Sequence, residues 1–160
     1  MDGLLDNASA QLAVIFTTAY AMALGGVIGW ERELKDRPAG FRTHMLVAGA
    51  AALLVGLGDL LAVHFSGEAY RELVRVDPIR LIEAVVAAVG FLGAGAIFRR
   101  SGGNSVSGLT TAASLLMVAA IGIAAGLRVH ILAFGATLLT LAVLLVLSWF
   151  ERRIEKGRRS

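Results

Sequence analysis

The chain has 160 residues, about one domain's length, of which 57% are hydrophobic and 17% charged, with a formal net charge of +3. An ordinary soluble domain carries about 25% charged residues, so this chain lacks the polar side chains to cover a soluble globule of its size. Its apolar richness excludes disorder. The absence of cysteine excludes disulfides, thiolate metal sites and cysteine nucleophiles.

Residues 11–30 form the first run without Asp, Glu, Lys or Arg, long enough to cross the roughly 30 Å of a bilayer's hydrocarbon core. The residues before it hold Asp2 and Asp6 but no Lys or Arg, so the basic segment of a cleaved signal peptide is missing and the run is expected to stay in the protein. Residues 43–65 make a second run, interrupted by Asp59. Residues 78–98 make a third, apolar after Arg80 except for Glu83, and residues 106–127 and 129–150 are two further uncharged runs. Apolar residues surround each run rather than forming one stripe, which predicts spanning helices and not surface ones. The expected fold is an all-α membrane protein, a five-transmembrane-helix bundle over residues 1–150, followed by a short basic tail over 151–160.

With five spans, eleven of the fifteen Lys and Arg residues fall on one side and four on the other. The positive-inside rule then places the N-terminus outside and the C-terminus, with its arginines, in the cytoplasm.

Nineteen glycines lie mainly within the helices. Gly25 with Gly29 and Gly122 with Gly126 have the small-xxx-small spacing that lets helix backbones approach closely, and Gly90, Gly93 and Gly95 crowd the third helix. The fifth helix is bulky and aliphatic, suited to lipid or a partner subunit. A faint repeat is also present: Gly26-Val27-Ile28-Gly29 and Ala39-Gly40-Phe41-Arg42-Thr43 find echoes in Gly93-Ala94-Gly95 and Ser107-Gly108-Leu109-Thr110-Thr111. Such an echo is what a parallel duplication of a two-helix hairpin would leave.

The orientation gathers Glu31, Arg32, Glu33, Arg37, Arg42, Thr43, Arg99, Arg100, Thr110 and Thr111 at the cytoplasmic face. Two readings stand side by side. One is an interfacial ring of snorkelling basic residues drawn to anionic lipid; the other is a fixed network that receives a phosphate-bearing ligand or a partner protein. The mixed signs favour the network, since lipid attraction has no use for Glu31 and Glu33.

At the outer face, Asp77-Pro78 reads as a helix start, and Arg80 and Glu83 are spaced to pair along the helix. Glu83 shares a stripe with Ala87, Gly90 and Ala94 and is expected to point into the bundle, either as a functional carboxylate or as the partner of Arg80. Asp59, about 9 Å inside its helix end, is either a structural, solvated acid or a cation ligand. His44, His64 and His130 show no metal-ligand spacing. Neither a phosphate-cradling glycine loop nor a nucleophile elbow is present, so neither catalysis nor a cofactor is expected. Nucleic-acid binding by the short tail is not expected either.

Gly25-Gly26-Val27-Ile28-Gly29-Trp30-Glu31-Arg32-Glu33 and Arg37-Pro38-Ala39-Gly40-Phe41-Arg42-Thr43 resemble the opening signature of the MgtC/SapB family of bacterial inner-membrane proteins. Asp77-Pro78-Ile79-Arg80 and Gly90-Phe91-Leu92-Gly93-Ala94-Gly95-Ala96-Ile97 resemble its middle, and Gly108-Leu109-Thr110-Thr111-Ala112-Ala113-Ser114 its fourth helix. The chain departs at Leu116, where the family usually has Trp, and at Ala84, where Gln is common.

The resemblance implies a five-helix domain of the cytoplasmic membrane, associated with adaptation to low magnesium and, in pathogens, with survival inside host cells. It further implies a regulatory role, acting on membrane energetics or on partner membrane proteins. The alternative is a magnesium transporter or channel subunit with Glu83 and Asp59 along the path. Only these two acids lie within the spans, both in the outer half, which speaks against a continuous cation path in one subunit. The close-packing motifs also suggest a homo-oligomer, a dimer in the simplest case.

Overall fold

A computed structural model describes residues 2–65, 77–99 and 106–157. The described chain contains five helices and one short ribbon: α1 (Asp2–Glu33), α2 (Phe41–His64), α3 (Pro78–Ala96), β1 (Phe98–Arg99), β2 (Val106–Ser107), α4 (Leu109–Gly126) and α5 (His130–Gly157). Four stretches, Ala8–Glu33, Phe41–His64, Pro78–Ala96 and Leu109–Gly126, are long and apolar enough to cross a membrane; α5 contributes a shorter apolar stretch, His130–Val146. Large apolar side chains such as Ile131 and Phe91, 90% and 82% exposed, cover the outside, as expected where the solvent is hydrocarbon. Thr17, Thr137 and Thr140 lie within the helices and donate to carbonyls one turn back (2.7–3.0 Å), so their hydroxyls are satisfied without water.

α2 packs against α1 on one side and α4 on another, and α4 in turn touches α1, α3 and α5. Glycines make both α2 contacts. A Cβ on Gly25 would lie 2.5 Å from the His44 carbonyl oxygen, and one on Gly29 would lie 2.8 Å from Phe41 Cα. On the other side, a Cβ on Gly122 would collide with the Ala48 carbonyl oxygen, and one on Gly126 would lie 2.9 Å from that of Ala52. α2 answers with its own small residues, Ala48, Ala51 and Ala52, all buried. Backbones that approach this closely gain dispersion contacts without a hydrophobic drive between helices, which hydrocarbon solvent does not supply.

α3 reverses the expectation for its glycines. It packs through Val85, Val89 and Gly93, all buried, with Gly93 3.3 Å from Ala112 of α4 for an added Cβ. The stripe of Glu83, Ala87, Gly90 and Ala94 is exposed, and Gly90 and Gly95 have open space where a side chain would stand. Glu83 therefore does not point into the bundle, and Gly90 and Gly95 are not packing glycines. The two stripes lie nearly opposite on the helix. Burying the branched valines gains more contact per turn, whereas turning Glu83 inward would bury a carboxylate with no partner.

The helix bounds also shift. The first helix starts at Asp2 rather than near 11, and the fifth continues to Gly157 rather than ending near 150. The third stops at Ala96 instead of 98 and the fourth begins at Leu109 instead of 106, because β1 and β2 pair antiparallel, Phe98 opposite Ser107 and Arg99 opposite Val106. Gly108 makes this possible. Its φ of +93° is the left-handed conformation that glycine adopts without strain, and any Cβ there would strike the Ala96 carbonyl oxygen. The hairpins α1–α2 and α3–α4 thus share helix order but not their connection.

Candidate functional site

The α1–α2 connection, the start of α4 and the second half of α5 meet at one end of the bundle. Two successive residues in the last turn of α1 are buried there, Glu31 at 7% exposure and Arg32 at 2%. Arg32 Nε donates to Glu31 Oε2 at 2.6 Å. Lys35, one turn on, forms an ion pair with Glu31 Oε1 and donates to the Leu144 carbonyl of α5 at 3.3 Å. One buried carboxylate thus holds two cations from its own chain segment and, through Lys35, ties α1 to α5. The cluster carries one surplus positive charge, and Arg32 Nη1 is buried without a hydrogen-bond partner among the described residues. An unsatisfied buried donor of this kind costs about 1–3 kcal/mol or more.

Glu33 faces the other way. Its Oε2 accepts the Phe41 amide at 2.7 Å, which satisfies a first-turn donor of α2 where the N-cap, Gly40, has no side chain to do so. His44, fully buried, follows one turn into α2. Its Nδ1 donates to the Gly40 carbonyl at 2.9 Å, and its Nε2 lies 3.0 Å from Ser114 Oγ of α4. Ser114 Oγ also lies 2.8 Å from the Thr111 carbonyl. One hydroxyl proton serves two acceptor positions. With Nε2 protonated, Ser114 donates to Thr111; with Nε2 bare, Ser114 turns to the imidazole and leaves the carbonyl.

Beside this network, an open cleft of roughly 470 Å³ separates Asp36, Arg37 and Pro38 from residues 106–111 at the start of α4. Asp36 takes φ +50° at the end of a turn in which its amide bonds the Glu33 carbonyl and the Arg37 amide bonds that of Arg32 (3.0 and 3.1 Å). This is the Schellman pattern that closes α1 and aims the loop at α4.

The structure divides the expected cytoplasmic cluster. Glu31 and Arg32 enter the buried network, and Thr111 joins it through its carbonyl. Arg37, Thr110 and Thr111 line the cleft. Arg42 and Thr43 are exposed on the first turn of α2 and join neither. The Arg99 side chain and Arg100 lie outside the described residues. Lys35, His44 and Ser114 escaped sequence reasoning as site residues. Lys35 could have been found four residues after Glu31, but the His44–Ser114 bond spans 70 positions and leaves no local signal.

At the opposite end, Asp77 caps α3 by accepting the Ile79 amide at 3.0 Å, with Pro78 in the first turn. Arg80 Nε lies 3.7 Å from Asp77 Oδ2; it turns back to the cap rather than forward to Glu83, which leaves the carboxylate that closes the helix start as its partner. Asp59 and Glu83 are exposed on different helices. Among the described residues no three His, Cys, Asp or Glu side chains gather to hold a metal ion.

A bundle of apolar helices that buries a charged network at one end defines a multi-pass membrane protein. The chain belongs to the MgtC family, whose sequence profile matches residues 18–153. It is similar to protein SapB of Bacillus subtilis, 36% identical over 91% of this chain and 61% of SapB. It is also similar to protein SrpB of Synechococcus elongatus, 39% identical over 88% of this chain and 76% of SrpB, and to protein MgtC of Brucella abortus, 41% identical over 78% of this chain and 47% of MgtC. The chain thus spans about half to three quarters of the length of these relatives. No solved structure matches it.

Proposed function

We propose that this chain is a regulatory protein of the bacterial cytoplasmic membrane, acting in adaptation to low magnesium by contacting a partner membrane protein, with its charged end in the cytoplasm. The observation that carries this reading is the Glu31–Arg32–Lys35 cluster, a buried set of charges held rigid at one end of the bundle with surplus positive charge. Buried in this way, the cluster orders the connection that carries the exposed Arg37, whose guanidinium would meet a partner's acidic groups in a fixed position. Asp59 and Glu83 stand exposed on separate helices, whereas a Mg²⁺ path needs carboxylates that converge at successive depths.

Two measurements test the reading together. Purified protein in liposomes is expected to admit no more Mg²⁺ than empty vesicles; flux that falls in Glu83→Gln would replace regulation with transport. A Lys35→Met variant is expected to insert normally yet fail to support growth in low magnesium. Parental growth by that variant would reduce the cluster to a structural device.

A further inference from the structure

The geometry points to a binding site for the phosphodiester of a membrane phospholipid in the cleft between the α1–α2 loop and the start of α4. α4 is an 18-residue helix whose N-cap, Gly108, offers no side-chain cap, and whose first hydrogen bond within the helix is donated by Ala112. The amides of Leu109, Thr110 and Thr111 thus have no acceptor within the helix, and the helix dipole places about half a positive charge there.

A second observation concerns side chains rather than the helix backbone. Thr111 is 1% exposed and lines the cleft, and its hydroxyl has no hydrogen-bond partner among the described residues, the bond from Ser114 going to its carbonyl instead. Across the cleft stands Arg37, whose guanidinium forms no ion pair among the described residues. An unpaired guanidinium, a sequestered hydroxyl and three free amides around one opening match the four oxygens of a phosphate group.

Two features narrow the ligand. Asp36 also lines the cleft and opposes a doubly charged phosphate, which favours a diester carrying a single negative charge or a zwitterionic headgroup whose ammonium meets Asp36. The cleft lies where the spans Ala8–Glu33, Phe41–His64 and Leu109–Gly126 end or begin, the depth at which phospholipid phosphates sit.

The test uses the whole protein in dodecyl maltoside, with thermal unfolding followed as dioctanoyl phosphatidylethanolamine is titrated. A saturable rise in the unfolding midpoint is expected. The apparent Kd should weaken about tenfold in Arg37→Gln and in Thr111→Val, and stay unchanged in Arg42→Gln, which stands outside the cleft. Arg37→Gln alters an exposed side chain, so the test survives if Thr111→Val folds poorly. An equal rise with dioctanoylglycerol, which has no phosphate, overturns the proposal. So does an equal loss in Arg42→Gln, which would mean general surface attraction. Saturation by inorganic phosphate at the same concentration overturns the lipid assignment in favour of a soluble anion.

Discussion

Arg32 heads the fully buried side chains of the described bundle by volume, and its burial depends on one neighbour. Glu31 neutralises it at 2.6 Å while also holding Lys35. Removing one member of a buried ion pair leaves a charge that water cannot reach. Glu31→Gln should therefore lower stability by about 3 kcal/mol, whereas replacing a whole buried pair with apolar groups is often nearly neutral. Glu31→Gln combined with Arg32→Met should recover most of the loss. Unfolding of the two single variants and the double variant in detergent measures this directly; purely additive losses would show that the two residues are not coupled. The acid–base composition of this turn was plain from residues 31–35, but which of the acids turns inward was not. Glu31 and Glu33 are two positions apart on a helix and so face nearly opposite ways, and only the placement of α5 and of the Phe41 amide decides between them.

At the scale of elements, the helices sort by what their glycines touch. The spacing of Gly25 with Gly29 and of Gly122 with Gly126 identified the contacts that α1 and α4 make with α2, because backbone approach demands small residues at one-turn intervals. The same logic misread α3, where Gly90 and Gly95 face open space. A small residue permits close packing without requiring it, and the valine stripe on the other face had more to bury. This contrast is testable. Gly122→Ala should destabilise the protein by about 1–3 kcal/mol, the range for overpacking, since its Cβ would meet the Ala48 carbonyl. Gly90→Ala should be neutral or stabilise by up to about 1 kcal/mol through helix propensity alone. Thermal midpoints in one detergent compare the two; equal losses would contradict the packing described for α3. The β1–β2 ribbon was illegible for a different reason, since two-residue strands are too short to set up an alternating pattern.

For the whole molecule, five crossings taken with the charge asymmetry of the sequence predict one orientation, which labelling can test. The α1–α2 loop and the start of α4 occupy one end of the bundle, while the end of α2 and the start of α3 occupy the other. The absence of cysteine makes single-cysteine labelling clean. In intact cells a membrane-impermeant maleimide is expected to label His64→Cys, and to label Arg42→Cys only after permeabilisation. The reverse pattern would invert the orientation drawn from the positive-inside rule.

The glycine contacts on both sides of α2 have a mechanical consequence. With the Gly122 and Gly126 backbones against Ala48 and Ala52, and those of Gly25 and Gly29 against His44 and Phe41, turning α2 by one residue would drive a larger side chain into a neighbouring main chain. α1, α2 and α4 are thereby keyed together like a mortised joint. A push on the charged end should therefore be carried through that joint as a displacement of the three helices in unison.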